Sequence, residues 1–492
     1  MIYNFNLGIG WASSGVEYAQ IYRARMFRNI GVDAKFVFTD MFPQENIEHM
    51  TKNIGFEDSE VIWLYTFFTD FKTAPVTYTL SDLEKTFSNA EYTKKREGKI
   101  CRYVFNGSNN FYTAYMVNDH DDYVHRVEMV SGGCLIRKDY FTYGRVYSEY
   151  YAPLDNAAHL YHRRFFNVDG SVAYEEMIDD KVMYKFKDMM LCSKEELVGY
   201  MVSKLNLTSD DVILIDRSTD IGQSILMNCK PAKVGTVVHA DHFSEKETNE
   251  DYILWNNYYE YEFNMHKHID FYICSTQAQS DLMVQQFEKY YGVTPNMYTI
   301  PVGSLPELKY PKEGRKPFSL ITASRLASEK HVDWICKAVI QARSEVPELS
   351  LDIYGVGGER EKLENIIRDN NASSYIHLMG QHDLSEVYQN YEAYIAGSTS
   401  EGFGLTLMEA VGGGLPIIGF DVRYGNPTFI RNGENGYLIS LPEEDKERIE
   451  ALRKGIVDLF KQDLEKCHSV SYEVAGDFLT SNVQEKWREA VC

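Results

Sequence analysis

Residues 398–410 read Ser-Thr-Ser-Glu-Gly-Phe-Gly-Leu-Thr-Leu-Met-Glu-Ala. The stretch follows a short apolar run, Tyr394, Ile395 and Ala396, and leads into helix-favouring residues, so it predicts a strand, a loop and a helix start. Glu401 and Glu409 bracket it. Glu401 falls beside Gly402 and Gly404, where a backbone without side chains lets a ligand come close. The amides of Phe403, Gly404 and Leu405 open the helix, a position that favours an anion or a sugar hydroxyl. Glu409 lies about one helical turn further in, at ~1.5 Å rise per residue, so the two acids reach different parts of one elongated ligand. Taken alone, such a pair of acids is far more often a glycine turn with two solvated carboxylates.

A second segment changes the weight of the first. Ser324 to Lys330, S-R-L-A-S-E-K, follows the apolar strand SLITA and places Arg325 and Lys330 where two cations can flank a diphosphate. The two segments, S-R-L-x-x-E-K and E-G-F-G-L-T-x-x-E-A, stand about seventy-five residues apart. In type and order they resemble the pyrophosphate and E-x7-E motifs of retaining glycosyltransferases of family 4, which have the GT-B fold. The resemblance implies that Glu401 faces the donor sugar, Glu409 holds the nucleotide ribose, and Arg325 and Lys330 stabilise the leaving group.

Other candidates surround these. VHADHF offers His239 and His242 after a strand, and a histidine here contacts the donor in the resembling family. His242 is the choice, because His239 reads as a continuation of the buried strand. Gly355, Gly357 and Gly358 in DIYGVGGE follow another strand and read either as a tight turn or as a close approach to the nucleoside. Gly380, Gln381 and His382, ending the strand IHLMGQ, complete the expected donor-binding set with Phe403, Gly404, Leu405 and Glu409. The link GIGWASSG has no G-x-G-x-x-G spacing, which argues against a dinucleotide. The resemblance instead gives Gly15, with Ser14 and Val16, a place beside the donor phosphate and acceptor. Two histidines three apart lack a matching third metal ligand, and the D-x-D at Asp119 and Asp121 lies in an apparent hairpin turn. No cofactor and no metal are therefore expected, the UDP-sugar being a substrate.

The chain is too long at 492 residues for one ordinary core, and its 44% hydrophobic and 25% charged residues are those of a soluble globular protein. A net charge of −22 disfavours DNA, RNA and long teichoic acid chains as ligands. A single diphosphate needs only one or two local cations and is not excluded. The eight cysteines show no C-x-x-C, which fits buried thiols in a reducing compartment. MIYNFNLGIG lacks the basic head and apolar core of a secretion signal, and no apolar run reaches the ~20 residues that span a bilayer. The expected location is the cytoplasm, any contact with the membrane's cytoplasmic face being peripheral.

Along the chain, residues 1–70 and 190–300 alternate strand and helix as the two parts of an N-terminal Rossmann-like, acceptor-side domain. Between them, residues 71–189 hold Tyr- and Val-rich alternating runs broken by Asn106-Gly107, Asp121-Asp122, Gly132-Gly133 and Asp169-Gly170, the pattern of an inserted antiparallel β-meander. Many of the 36 tyrosines fall there. Pro306 to Pro317 reads as a linker, residues 301–475 as a Rossmann-like nucleotide-sugar domain, and residues 476–492 as a closing helix. One long helix is expected from about Glu443, with Trp487 packing back on the first domain. The fold class is thus α/β, GT-B, with two Rossmann-like domains facing a cleft and an antiparallel insertion.

With the meander added, the chain from NFNLGIGWASSGVEYAQ through GTVVHADHFS to its end resembles the GtfA family, catalytic subunits of the accessory secretion system glycosyltransferases. The resemblance implies transfer of N-acetylglucosamine from UDP-GlcNAc to Ser and Thr of a serine-rich repeat adhesin, as the first step of its O-glycosylation and with retention of anomeric configuration. It also implies an acceptor-binding GtfB-type subunit docked through the meander. Glucose is the alternative donor sugar. A teichoic acid α-N-acetylglucosaminyltransferase and a non-catalytic sugar-binding subunit are the alternative functions; the first conflicts with the net charge, the second with the presence of Arg325, Lys330, Glu401 and Glu409 together.

Overall fold

The computed structural model describes residues 1–9, 15–88 and 90–492. Two compact units divide the chain: Met1–Ala24, Val32–Val237 and Trp255–Asp270 in the first, and Arg25–Gly31, Val238–Leu254 and Phe271–Cys492 in the second.

In the first unit, Ile2–Asn6 pairs in parallel with Ala34–Phe38 on one side and Val212–Ile215 on the other, and Val61–Trp63 and Lys233–Val238 extend the sheet. These strands are apolar almost throughout, as central strands covered on both faces are. Two charges are nonetheless buried among them. The Arg23 guanidinium donates to both carboxylate oxygens of Asp216 at 2.7 and 2.9 Å and also to Asn4 Oδ1, so neither ion lacks compensation.

The insertion is a ten-stranded antiparallel meander from Tyr92–Glu97 to Met190–Leu191, each strand paired with its chain neighbour. Gly107, Gly132, Gly133 and Gly170 take positive φ at its turns. Aromatic side chains hold the root of the meander in place. Tyr140, Tyr147, Phe165 and Tyr174 oppose one another on successive strands, and with Phe186 they form a column with centroids 4.3, 5.6, 4.4 and 4.9 Å apart. Tyr65 stacks on Phe165 at 5.7 Å, and Trp63 meets Tyr147 edge-on at 6.2 Å, joining the column to the parallel sheet. On the same face Arg163 bridges Glu149 and Glu176 at 2.9 and 2.8 Å.

The D-x-D turn in the meander has a structural explanation. Arg96 donates to the carbonyls of Asp119 and Asp121 at 3.1 and 2.9 Å and pairs with Asp122.

The second unit carries a six-stranded parallel sheet ordered Ile376–Gly380, Ser350–Tyr354, Ser319–Ala323, Ala393–Ile395, Ile417–Phe420, Gly436–Ile439. Read in sequence this is 3-2-1-4-5-6, the doubly wound order. Its switch point lies between Ser319–Ala323 and Ala393–Ile395, the position at which doubly wound sheets take their ligands. Together with the first unit's parallel sheet and the antiparallel insertion, this is the GT-B class that the motifs implied.

Two details differ from the sequence reading. The stretch expected as a linker is fastened down: Arg315 donates to the carbonyls of Gln389, Tyr391 and Gly413, each at 2.9 Å, and to Tyr472 Oη at 3.1 Å. The closing helix is three helices, Asp445–Leu459, Leu464–Gly476 and Thr480–Val491, because the Asp463 side chain caps a new start at Lys466 N–H and Leu479 turns the chain again. Trp487 packs edge-on against Phe27, 5.3 Å away, in the segment that clusters with the second unit. Among the described residues, no helix is long and apolar enough to cross a membrane.

Candidate functional site

Both signature loops leave the sheet at the switch point. After Ala323 the chain runs through Ser324 and Arg325 into a short turn, Ser328–Lys330, and His331 then takes φ 44° to start the helix Val332–Ala342. After Ile395 comes Gly397, where a Cβ would fall 2.8 Å from His331 O and 3.0 Å from Lys330 O. Only a residue without a side chain lets the two loops touch here. Their contact brings Lys330 Nζ within 2.6 Å of Glu401 Oε2, with the two side chains only 18% and 21% exposed.

Glu401 is also fixed through its main chain. Its carbonyl accepts from the amides of Tyr424 and Gly425 at 2.5 and 2.7 Å, and its own amide donates to Arg423 O at 3.2 Å. Gly425 is required by the approach, since a Cβ there would sit 2.3 Å from Phe403 O. Gly404 takes φ 88° and begins the helix Leu405–Gly412, as the sequence predicted. Phe403 is buried against Phe429 and Phe478, so its ring belongs to the core, and only its backbone faces the loop's chemistry.

Glu409 lies on that helix and accepts a hydrogen bond from Tyr388 Oη at 2.9 Å. Burial raises its carboxyl above the usual range, the nearby charge of Asp383 adds to this, and the Tyr388 hydroxyl opposes it. Arg325, by contrast, is 79% exposed and leans on Glu329 at 3.1 Å, a surface pair that yields readily to an incoming anion.

Gly355 and Gly357 serve the framework. At φ 134° and 157°, their missing Cβ atoms would fall 1.8 Å from Ser324 O and 2.4 Å from Leu326 O. They let the Tyr354–Gly358 loop press on the loop that carries Arg325, with Leu326 N–H donating to Val356 O at 2.9 Å. Gly380, at φ 78°, accepts from Gly355 N–H at 2.7 Å; Gln381 and His382 follow it, exposed, with His382 Nε2 donating to Met379 O at 2.8 Å. All of these sit at the carboxyl ends of strands in the second unit.

The histidines reverse the expectation drawn from burial. The strand Lys233–Val238 stops before His239, which is partly exposed, whereas His242 is fully buried. Gln286 Oε1 accepts from His242 Nε2 at 2.7 Å, which leaves Nδ1 as the acceptor facing Tyr424 Oη at 3.3 Å and Gln279 Nε2 at 3.4 Å. Burial pushes the imidazole down to about 4, so it stays neutral near pH 7. His242 therefore reaches Glu401 through Tyr424, whose main chain grips it.

In the first unit Gly15 opens the helix Gly15–Ile30 with an exposed backbone and Val16 is buried; Ser14 lies outside the described residues. Sequence reading missed Gly397, Tyr388 and Tyr424. Gly397 stands two residues past the strand Ala393–Ile395 and was legible as a close-approach glycine, but neither tyrosine lies in a motif.

Comparison with known proteins gives the chain its relatives. Residues 93–188 match the family model for the GtfA extended beta-sheet domain, and residues 308–475 match that for glycosyl transferases group 1. The chain is 54% identical over 492 residues to the GtfA subunit of the UDP-N-acetylglucosamine–peptide N-acetylglucosaminyltransferase of Streptococcus agalactiae, covering 99% of this chain and 97% of the relative. It superposes on a crystal structure of a GtfA/B complex with a TM-score of 0.96 at 52% identity, covering 100% of this chain and 99% of the other. A crystal structure of the pneumococcal O-GlcNAc transferase GtfA in complex with UDP and GlcNAc gives a TM-score of 0.86 at 50% identity, covering 100% and 98%.

Proposed function

The chain belongs to the GtfA family of UDP-N-acetylglucosamine–peptide N-acetylglucosaminyltransferase subunits, and we propose that it moves N-acetylglucosamine from UDP-GlcNAc to Ser and Thr hydroxyls of a serine-rich repeat adhesin in the cytoplasm. The observation that carries this reading is the meeting of Lys330 with Glu401 at the switch point of the second unit's sheet, with Glu409 one helical turn beyond.

In this reading the uridine ribose hydroxyls bind Glu409, and the loops after Tyr354 and Gly380 line the nucleoside. Arg325 and Lys330 take up the charge that develops on the diphosphate as the bond from C1 of the sugar to the phosphate oxygen breaks. Lys330 leaves part of its contact with Glu401 to do so, which frees that carboxylate to take a donor sugar hydroxyl. The acceptor hydroxyl attacks the face that the leaving group vacates and passes its proton to the departing phosphate, so configuration is retained without a protein nucleophile. His242 acts on this centre by fixing Tyr424. Charge neutralisation is assigned to the two cations and to helix amides, and not to a divalent metal, so EDTA is expected to leave transfer unchanged.

A GtfB-type acceptor-binding subunit docks through the meander, whose strands match the extended beta-sheet domain. Incubating the chain, with and without such a subunit, with UDP-GlcNAc or UDP-glucose and a serine-rich peptide tests the reading by the mass of the product. A gain of one N-acetylhexosamine supports it. A hexose gain corrects the donor, and an unchanged peptide with both donors and the partner present overturns it.

A further inference from the structure

Tyr388 is 3% exposed and its hydroxyl donates to Glu409 Oε2 at 2.9 Å, yet no motif marks it. The turn that carries it, Tyr388–Asn390, is held from several directions. Arg315 donates to the carbonyls of Gln389 and Tyr391, and the same guanidinium donates to Gly413 O at the end of the helix that bears Glu409. A Cβ on Gly413 would lie 2.8 Å from Tyr388 Cβ, so the missing side chain lets the turn seat against that helix end. Tyr391 Oη donates to Asp352 Oδ2 at 2.7 Å and meets Tyr354 Oη at 3.0 Å, fastening the turn's other end to the strand Ser350–Tyr354.

The fixed geometry has a chemical consequence. A carboxylate on a mobile side chain loses entropy each time it binds a diol, and one already held through a single oxygen loses less. The contact with the tyrosine uses Oε2 and leaves Oε1 for a ligand.

We propose that Tyr388 is a positioning residue for nucleotide recognition, which holds Glu409 so that its second oxygen takes the ribose hydroxyls of a uridine diphosphate. The inference rests on the reading of Glu409 as the ribose anchor, and it adds a residue that acts through it.

Titration calorimetry with UDP and with 2′,3′-dideoxy-UDP, on the wild type and on Tyr388→Phe, separates the two claims. Phenylalanine keeps the ring and removes one hydroxyl, and a melting curve of the variant is taken alongside. The wild type is expected to bind UDP about tenfold more tightly than the dideoxy compound. In Tyr388→Phe that ratio is expected to shrink to about threefold or less, with dideoxy-UDP bound as before, the KM for UDP-GlcNAc raised in proportion and kcat within about twofold. In a Glu409→Gln background the same tyrosine substitution is expected to change UDP affinity by less than about twofold.

A wild-type ratio near one would remove Glu409 as the ribose anchor and this inference with it. A wild-type ratio near ten that persists in folded Tyr388→Phe would leave Glu409 in place and overturn the role of Tyr388. Equal weakening of both nucleotides would also overturn it, because that is the mark of general damage.

Discussion

Lys330 Nζ lies 2.6 Å from Glu401 Oε2, and the two side chains come from loops on either side of the switch point in the second unit's sheet. A cation and an acid that neutralise each other before substrate arrives are each available to it afterwards, the lysine for diphosphate and the acid for a sugar hydroxyl. Lys330→Ala is expected to lower kcat/KM by at least about a hundredfold, and Glu401→Gln to lower kcat more than it weakens UDP. The Lys330→Ala, Glu401→Gln double variant is expected to lose less than the product of the single losses, because the two act as a unit. Steady-state kinetics on the three variants check this, and strictly multiplicative losses would count against a coupled pair.

Arg325 is 79% exposed, so removing it should leave the fold alone. Arg325→Ala is expected to shift folding free energy by no more than about 0.5 kcal/mol while weakening UDP about tenfold. Denaturant melts and calorimetry on the same preparation read both quantities.

Gly355 has φ 134°, and a side chain there would strike Ser324 O. Gly355→Ala is expected to cost about 2 kcal/mol or more and to depress UDP binding, because the loop that carries Arg325 must move. A variant as stable as the wild type would show that this contact is not held in solution.

Glu262 is 1% exposed, and burial raises its carboxyl to about 7, with Ser218 opposing the shift. Its folded value stands above the unfolded one, so its contribution to stability is fully present below about pH 4.5 and is lost as pH rises through 7. Glu262→Gln is expected to flatten stability between those two values and to raise the melting temperature at pH 8, the effect being on the order of 3 kcal/mol. Melting curves from pH 5 to 8, about the range in which the shift acts, check this, and parallel curves for the two proteins would contradict it.

What could be read from the sequence was local. Glu401, Gly404 and Glu409 lie within one strand-loop-helix unit, so spacing alone predicted their elements, and Arg325 and Lys330 follow a single apolar strand in the same way. The meander's hairpins were legible because Asn106-Gly107 and Gly132-Gly133 carry their own turn chemistry. The clamp on Glu401 was not, since Tyr424 reaches it from the loop after the next strand, a neighbour that only the strand order creates. The premise behind the choice between the histidines did not hold: the strand ends at Val238, before His239, and the chain then folds His242 inward onto Gln286. The reading of Pro306 to Pro317 as a linker failed because composition does not reveal that the Arg315 guanidinium will find three carbonyls.

The most direct measurement is a crystal structure of this chain soaked with UDP. The account predicts diphosphate oxygens within about 3 Å of the Arg325 and Lys330 nitrogens and ribose hydroxyls at the same distance from Glu409. A nucleotide bound in the second unit away from both the cations and Glu409, or bound to the first unit alone, would contradict it.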